Sequence, residues 1–431
     1  MNAPTNADQL ACLSPAWARV VCEVIERGEG VYLYAKSGKR YLDFTSGIGV
    51  TNTGHCHPAV VEAVRSQAER LLFGQMNCVV PETAIELADL LRPKLPADLD
   101  TFFFANSGAE AVEGAVKLAK AATGKPNIIA LEGGFHGRTA MTMALTSSKT
   151  VYRAGFQPLP GGVFFAPFPY VLNHSDSGLQ FVDDDHLSDY CLARLENVLA
   201  SQSAPSETAA VLIEPVLGEG GYVPAPVSYL QKLRALCDRH GLLLIADEIQ
   251  SGFGRTGDWW YHTRAGIAPD ILTMAKGIAS GLPMSAIAAP RALMAKMGPG
   301  MHGGTYGGGS AIAQAAAIAT VDVIEREKLA ENAVTLGAYL TEKLRGLAHR
   351  YPDLREVRGP GLMVGCEFAA GVAGKAQAGG VAKHCAESGL LLLTCGTHGN
   401  VVRWIPPLVV TQSQLDDGLA TFEQALSKIL N

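Results

Sequence analysis

Residues 271–283 read ILTMAKGIASGLP, an apolar run that delivers Lys276 to an elbow of glycines and a proline. A lysine is almost never fully buried unless something pairs with it or uses it. Similar runs ending in similar elbows recur on the N-terminal side. TFFFA (101–105) leads into Asn106-Ser107-Gly108-Ala109-Glu110, and NIIAL (127–131) into Glu132-Gly133-Gly134-Phe135-His136-Gly137-Arg138. AAVLI (209–213) ends at Glu214-Pro215, and LLLIA (242–246) at Asp247-Glu248. Continuous apolar runs of this length suit strands buried on both faces, as in a parallel sheet covered by helices.

Helical stretches lie between the runs. EAVEGAVKLA (110–119) repeats apolar positions at helical spacing and keeps a small-residue face for close packing. SYLQKLRALCDRHG (228–241) places Tyr229, Leu230, Leu233, Leu236 and Cys237 on one face and stops at Gly241. Strand and helix alternating from about residue 60 to about 310 predict an α/β domain with a mostly parallel sheet. Ligands of such sheets bind outside the carboxyl ends of the strands, where every elbow falls. The more mixed patterns at both ends predict a smaller α+β domain built from residues 1–60 and 326–431, around a large domain of 61–325.

With 48% hydrophobic and 18% charged residues, the 431-residue chain suits a globular enzyme rather than a disordered one. Its net charge of -6 offers no attraction to nucleic acid or an anionic membrane. The nine cysteines form no CxxC pair or regular framework and read as reduced thiols. MNAPTNADQLACLSP, at the start, lacks the basic and apolar regions of a signal peptide. No uncharged apolar run reaches the roughly 18 residues of a membrane span. A cytoplasmic protein is the expectation.

Taken alone, Asp247 reads as a turn residue and Lys276 as a strand-end lysine with its head in water. Together, each closing its own strand at one sheet edge, they suggest chemistry. A desolvated lysine has a lowered pKa and attacks a carbonyl as a neutral amine. Pyridoxal 5'-phosphate needs such a lysine, and an acid that keeps its ring nitrogen protonated. Ser107-Gly108-Ala109 could seat the phosphate at a helix N-terminus, or serve as a plain cap. Phe135 is a flat candidate to cover the ring, or an ordinary core side chain.

At this point the residues carry a family likeness. SGAEAVEGAVKLA, GGFHGRTAMTMALT, IEPVLGEGGY, IADEIQSGFGRTG, PDILTMAKGIASGLPMSA and GGTYGGG resemble the class III (omega) aminotransferases of the fold type I pyridoxal phosphate enzymes. The resemblance runs from Asp43 to Arg403; it implies a mostly parallel, seven-stranded type of sheet in the large domain and a role for each matching residue. Lys276 would bind the cofactor aldehyde, then carry the proton between substrate and cofactor carbons. Asp247 would hold the ring nitrogen, Ser107, Gly108 and Ala109 the phosphate, Phe135 the ring and Gln250 its hydroxyl, with His136 also among the cofactor-binding residues. Thr305, in GGTYGGG, would reach the phosphate of a neighbouring subunit, implying a homodimer with shared sites that could pair into tetramers. Without the resemblance that stretch reads as a flexible loop.

Substrate choice would fall to arginines. Arg138 resembles the residue that clamps a substrate carboxylate, and Arg403 the one that grips the α-carboxylate of glutamate or 2-oxoglutarate. Glu219 would neutralise Arg403 when an ω-amino acid occupies the site, since a buried unpaired guanidinium is costly. Ile48, in SGIGVTNTGH, matches the aliphatic residue of 4-aminobutyrate aminotransferases, where ornithine-type members tend to carry tyrosine.

The implied reaction is a ping-pong transfer from an amine donor, 4-aminobutyrate favoured, to 2-oxoglutarate, giving succinate semialdehyde and glutamate. Acetylornithine or another ω-amine stays open as the donor, and Trp259-Trp260 departs from both patterns, leaving longer ω-amines open. An amino-acid racemase or epimerase of the same family would use the same lysine and aspartate. A nonenzymatic binding protein would have no need of an amine and an acid at neighbouring strand ends. Gly298–Gly303 fits GxGxxG but contains a proline and follows no apolar strand. His55-Cys56-His57 has no second ligand pair at supporting spacing, so no metal is expected.

Overall fold

The computed structural model describes residues 10–430. The first nine residues, part of the stretch read for a leader and of the expected N-terminal segment of the smaller domain, lie outside the described residues. Strands β1 (Ile25–Glu29), β2 (Tyr32–Ala35) and β3 (Arg40–Asp43) form an antiparallel meander. The chain then lays down β4 (Thr101–Ala105), β5 (Asn127–Leu131), β6 (Val163–Ala166) and β7 (Thr208–Ile213). A small hairpin, β8 (Val216–Leu217) and β9 (Val223–Pro224), frames the loop that carries Glu219. Strands β10 (Leu243–Asp247), β11 (Ile271–Met274) and β12 (Ser285–Ala289) complete a seven-stranded sheet of order β4-β12-β11-β10-β7-β5-β6.

Only β12 runs against its neighbours in that sheet. The reason is local. Residues 275–284 hold just one short turn of 3-10 helix, Lys276–Ile278, whereas a parallel return needs a crossover of roughly a dozen or more residues. Helices Gly108–Thr123 and Val227–His240 cover the sheet. The first buries Ala111, Val112, Gly114, Ala115, Val116, Leu118 and Ala119, the small-residue face expected of it. The second buries Tyr229, Leu230, Leu233, Leu236 and Cys237 and ends at Gly241 in the left-handed region (φ 61°).

The C-terminal part adds β13 (Leu354–Arg358), β14 (Val364–Phe368), β15 (Leu390–Leu391), β16 (Leu393–Cys395) and β17 (Val401–Trp404). Four of these form the sheet β13-β14-β17-β16, while β15 pairs in parallel with β3, Leu390 opposite Leu42 and Leu391 opposite Asp43. Distant segments of the chain therefore share one sheet. Arg255, fully buried, adds a second tie: its guanidinium donates to Leu362 O (3.1 Å), Pro406 O (2.5 Å) and Asn52 Oδ1 (2.8 Å). With no acid partner among the described residues, its pKa is pulled down by burial to about 10.

Trp260 is core: its indole N–H donates to Lys94 O at 2.7 Å, and its ring stands edge-on to Phe253 at 5.0 Å. Trp259 lies beside the Lys94 ammonium, 5.3 Å from it. The unusual tryptophan pair is a packing feature and gives no ground for a wider substrate site. His55 contacts Asp43 at 2.9 Å, and His57 contacts Glu327 at 3.2 Å. Among the described residues, no helix is long and apolar enough to cross a membrane.

Candidate active site

The carboxyl ends of β4, β5, β7, β10 and β11 open onto one cavity of about 340 Å³. Around it stand Ser107, Gly108 and Ala109 after β4, Phe135 and His136 after β5, and Glu214 after β7. Asp247 and Gln250 come from the end of β10, and Lys276 from the turn after β11. That volume falls within the usual range for small-molecule sites, roughly 300–1,000 Å³.

Lys276 takes φ 44°, a left-handed conformation uncommon outside glycine and a sign of local strain. Gly277 follows it because a Cβ there would lie 2.4 Å from Asn52 Nδ2. Protein surrounds the amine apart from its opening to the cavity, and this desolvation lowers its pKa. Glu214, Asp247 and Glu219 pull it back upward, and Arg403 adds to the lowering.

Asp247 has both oxygens engaged. Oδ2 lies 2.7 Å from His136 Nδ1, and Oδ1 accepts from Ile249 N–H (3.2 Å) and the Thr273 hydroxyl (3.1 Å). Its neighbour Glu248 turns to the other side, accepting from the Tyr261 and His262 N–H groups and contacting His262 Nδ1 at 2.7 Å. Strand alternation thus splits the Asp-Glu pair: one carboxylate serves the cavity, the other the fold.

Ser107 is a cap and a cavity residue at once. Its Oγ accepts Glu110 N–H at 3.3 Å, and the sixteen-residue helix behind it turns its positive end to the cavity. Glu214, to which the sequence assigned no role, bridges two loops. One oxygen accepts Phe135 N–H (2.7 Å) and the other Gly218 N–H (2.9 Å). Burial, together with the charge of Asp247, pushes its pKa up to about 7, against the pull of His136 and the two N–H donors.

Beside the cavity, Arg403 Nη1 lies 2.5 Å from Glu219 Oε1, with little of either side chain exposed. Burial works against the Arg403 cation, but Glu219 outweighs it and holds the pKa above the usual arginine value. Burial likewise opposes the Glu219 anion, and Arg403 holds that carboxyl below its ordinary range. Arg403 Nε has no partner among the described residues. Tyr152, absent from the sequence reading, donates its hydroxyl to Glu219 Oε2 at 3.1 Å. The exposed Arg138 places its guanidinium 4.5 Å from the Tyr152 ring centre.

Ile48 is 41% exposed and takes φ 67°, an outlier for a β-branched residue. Its turn is anchored where Ser46 Oγ donates to Ile405 O at 2.5 Å, two residues past Arg403. Ile48, Arg138, Glu219 and Arg403 stand outside the cavity lining. So does Thr305, exposed on a loop whose glycines line a different cavity with Val80, Ile85 and Phe102.

The residues present fit pyridoxal phosphate. A desolvated amine, a buried carboxylate held by a histidine, and a helix N-terminus meet in one cavity. Gln250 adds a side-chain oxygen buried there with no hydrogen-bond partner among the described residues.

The sequence profile of the Aminotransferase class-III family matches residues 13–426. The 5-aminovalerate aminotransferase DavT of Pseudomonas putida is 42% identical over 396 residues, covering 91% of this chain and 90% of that protein. The 4-aminobutyrate aminotransferase GabT of Escherichia coli is 39% identical over 408 residues, covering 94% and 93%. An amine transaminase from an uncultivated Pseudomonas species, solved with pyridoxal phosphate bound, superposes with a TM-score of 0.87 at 30% identity, over 94% of this chain and 95% of that one. The chain belongs to the class III aminotransferases: a pyridoxal phosphate-dependent enzyme of fold type I that works on an amine donor and an oxo acid acceptor.

Proposed function

We propose that this aminotransferase takes the terminal amino group of an ω-amino acid, 4-aminobutyrate favoured, and delivers it to 2-oxoglutarate, yielding the semialdehyde and glutamate by a ping-pong exchange. The observation that carries this reading is the buried Arg403–Glu219 pair beside the Lys276 cavity. A donor without an α-carboxylate leaves Arg403 to Glu219. An acceptor with one supplies the arginine's partner itself and displaces Glu219. Without either, a buried unpaired guanidinium would cost on the order of 3–5 kcal/mol. A racemase keeps one substrate throughout and has no use for an exchangeable partner on that arginine. The likeness to DavT makes 5-aminovalerate, one carbon longer, a donor of the same class.

Bound pyridoxal phosphate supplies an electron sink for the substrate carbon that loses its proton. Lys276 Nζ takes that proton as a neutral amine and returns it. Asp247, oriented by His136, presents its carboxylate to the ring nitrogen, and Gln250 serves the ring hydroxyl. Ser107, Gly108 and Ala109 seat the phosphate, and Phe135 covers the ring. Arg138 binds the distal carboxylate, with Ile48 narrowing the approach.

The same reading includes a homodimer in which Thr305 completes the site of the partner subunit. Val80 (58% exposed), Ile85 (57%) and Tyr306 (70%) support it, forming an apolar surface beside the Thr305 loop. It also divides the chain into a large domain, 61–325, and a smaller one from 1–60 and 326–431, and places the enzyme in the cytoplasm. The buried thiols of Cys191, Cys237, Cys366, Cys385 and Cys395 suit a reducing compartment.

The test is a donor panel of 4-aminobutyrate, 5-aminovalerate and N-acetylornithine, each mixed with holoenzyme without acceptor. The first two should bleach the aldehyde absorbance, and 2-oxoglutarate should restore it. A preference for N-acetylornithine would replace the donor. Loss of optical rotation in a single amino acid, with no acceptor present, would sink the transfer reading altogether.

A further inference from the structure

Glu219 sits on a backbone that is tied down around it. Gly218 N–H donates to Glu214, the Glu219 carbonyl accepts Gly396 N–H at 2.9 Å, and the Gly221 carbonyl accepts Arg358 Nη2 at 2.7 Å. Arg358 is itself held by an ion pair with Glu367 and donates to the Tyr170 hydroxyl at 2.9 Å. At Gly220 a Cβ would come 2.4 Å from Gly133 O, so the loop lies flush against the elbow after β5. Exchange of partners on Arg403 therefore falls to rotation of the Glu219 side chain. Two bonds set its resting position, one per oxygen: Oε1 to Arg403 and Oε2 to the Tyr152 hydroxyl.

We propose that Tyr152 is a specificity-determining latch: its hydroxyl holds the Glu219 carboxylate on Arg403 and sets how readily a substrate α-carboxylate displaces it. This rests on the donor and acceptor reading given above. The Tyr152 ring is fixed from two sides. It meets the Phe135 ring edge-on at 5.1 Å, and the Arg138 guanidinium lies over it at 4.5 Å. Burial, and then the charge of Glu219, push the phenol pKa up to about 12, so the hydroxyl stays a donor at any working pH. One side chain thus touches the Phe135 cover, the distal-carboxylate arginine and the exchangeable glutamate. Weakening the latch favours dicarboxylates at the expense of ω-amino donors.

The probe is glutarate, an unreactive dicarboxylate that spans the two arginines as the acceptor would. Tyr152→Phe removes the hydroxyl and keeps the ring against Phe135 and Arg138. Titrated into holoenzyme, glutarate should bind Y152F about tenfold more tightly than wild type, the scale of a lost hydrogen bond to a charged group. In single half-reactions, KM for 2-oxoglutarate should fall similarly, while kcat/KM for 4-aminobutyrate declines. On a Glu219→Ala background the same substitution should change glutarate binding by less than about twofold, because the latch has nothing left to hold. Equal glutarate affinity in Y152F and wild type overturns the proposal. So does an undiminished tenfold gain on the E219A background, which would make the effect one of packing. A wild-type enzyme that ignores both glutarate and ω-amino donors overturns the donor and acceptor reading itself, and the latch with it.

Discussion

His136 Nδ1, in the elbow after β5, lies 2.7 Å from Oδ2 of Asp247 at the end of β10, and both side chains are sealed from solvent. The contact joins residues 111 positions apart and fixes the carboxylate without spending the face turned to the cavity. Asp247→Asn keeps the shape but removes the charge proposed to hold a proton on the cofactor ring. Turnover should drop at least about a hundredfold, the scale of losing one well-placed electrostatic group. His136→Asn, which only loosens the carboxylate, should cost about tenfold. Steady-state rates with 4-aminobutyrate check both.

Lys276→Ala should abolish the visible absorbance of the holoenzyme and lower turnover by at least about a hundredfold, as expected for loss of the proton-carrying group. Borohydride treatment of wild type followed by peptide mapping should place the cofactor's mass on Lys276. A label on another lysine would refute the assignment.

Arg403→Ala should weaken glutarate and 2-oxoglutarate binding by about a hundredfold or more, since a buried charged partner is lost. The 4-aminobutyrate half-reaction should change by less than about tenfold, because in the proposed exchange that donor leaves Arg403 to Glu219. Comparable losses in both half-reactions would mean that the arginine does not discriminate between them.

Glu214 supplies a pH signature. Its folded pKa of about 7 lies above the ordinary 4.5, so the folded state binds the extra proton between those values. Its contribution is present below pH 4.5 and is lost as pH rises through about 7. Lys276, with a lowered pKa, acts in the opposite sense at higher pH, where folded protein is already neutral and unfolded chain still protonated. Glu214→Gln should flatten the decline in stability between pH 4.5 and 7, read as the difference in urea midpoints between variant and wild type. An unchanged slope would rule out titration of Glu214 in that window.

On the proposed homodimer, light scattering should find wild type as a dimer and Val80→Asp, on the exposed apolar surface beside the Thr305 loop, as a monomer. Activity should fall with dimer content if Thr305 completes a neighbouring site. A fully active monomer would contradict the shared-site reading.

How legible each residue was depended on how local its signal is. Lys276 and Asp247 each close an apolar strand, and a strand end is readable from a few neighbours. The motifs single out Asp247 rather than Glu248, and the fold supplies the physical reason by turning Glu248 to the Tyr261 N–H and His262. Trp259-Trp260 looked like a departure near the substrate, yet Trp260 is spent in the core against Phe253 and Lys94. Neither the Glu214 bond to Phe135 N–H, 79 residues away, nor the Tyr152 bond to Glu219, 67 residues away, leaves a pattern in the sequence.

The sequence by itself determined the alternation of buried strand and covering helix, the strand-end amine and acid, and the motifs of the family. These follow from periodicity and from short runs whose meaning does not depend on distant partners. Tertiary structure alone decided that β12 runs backward, that His136 holds Asp247, and that Glu219 divides its oxygens between Arg403 and Tyr152. Such contacts arise where the sheet edge gathers loops from remote parts of the chain, and a hydrogen bond is fixed by distance and angle in space rather than by spacing along the backbone.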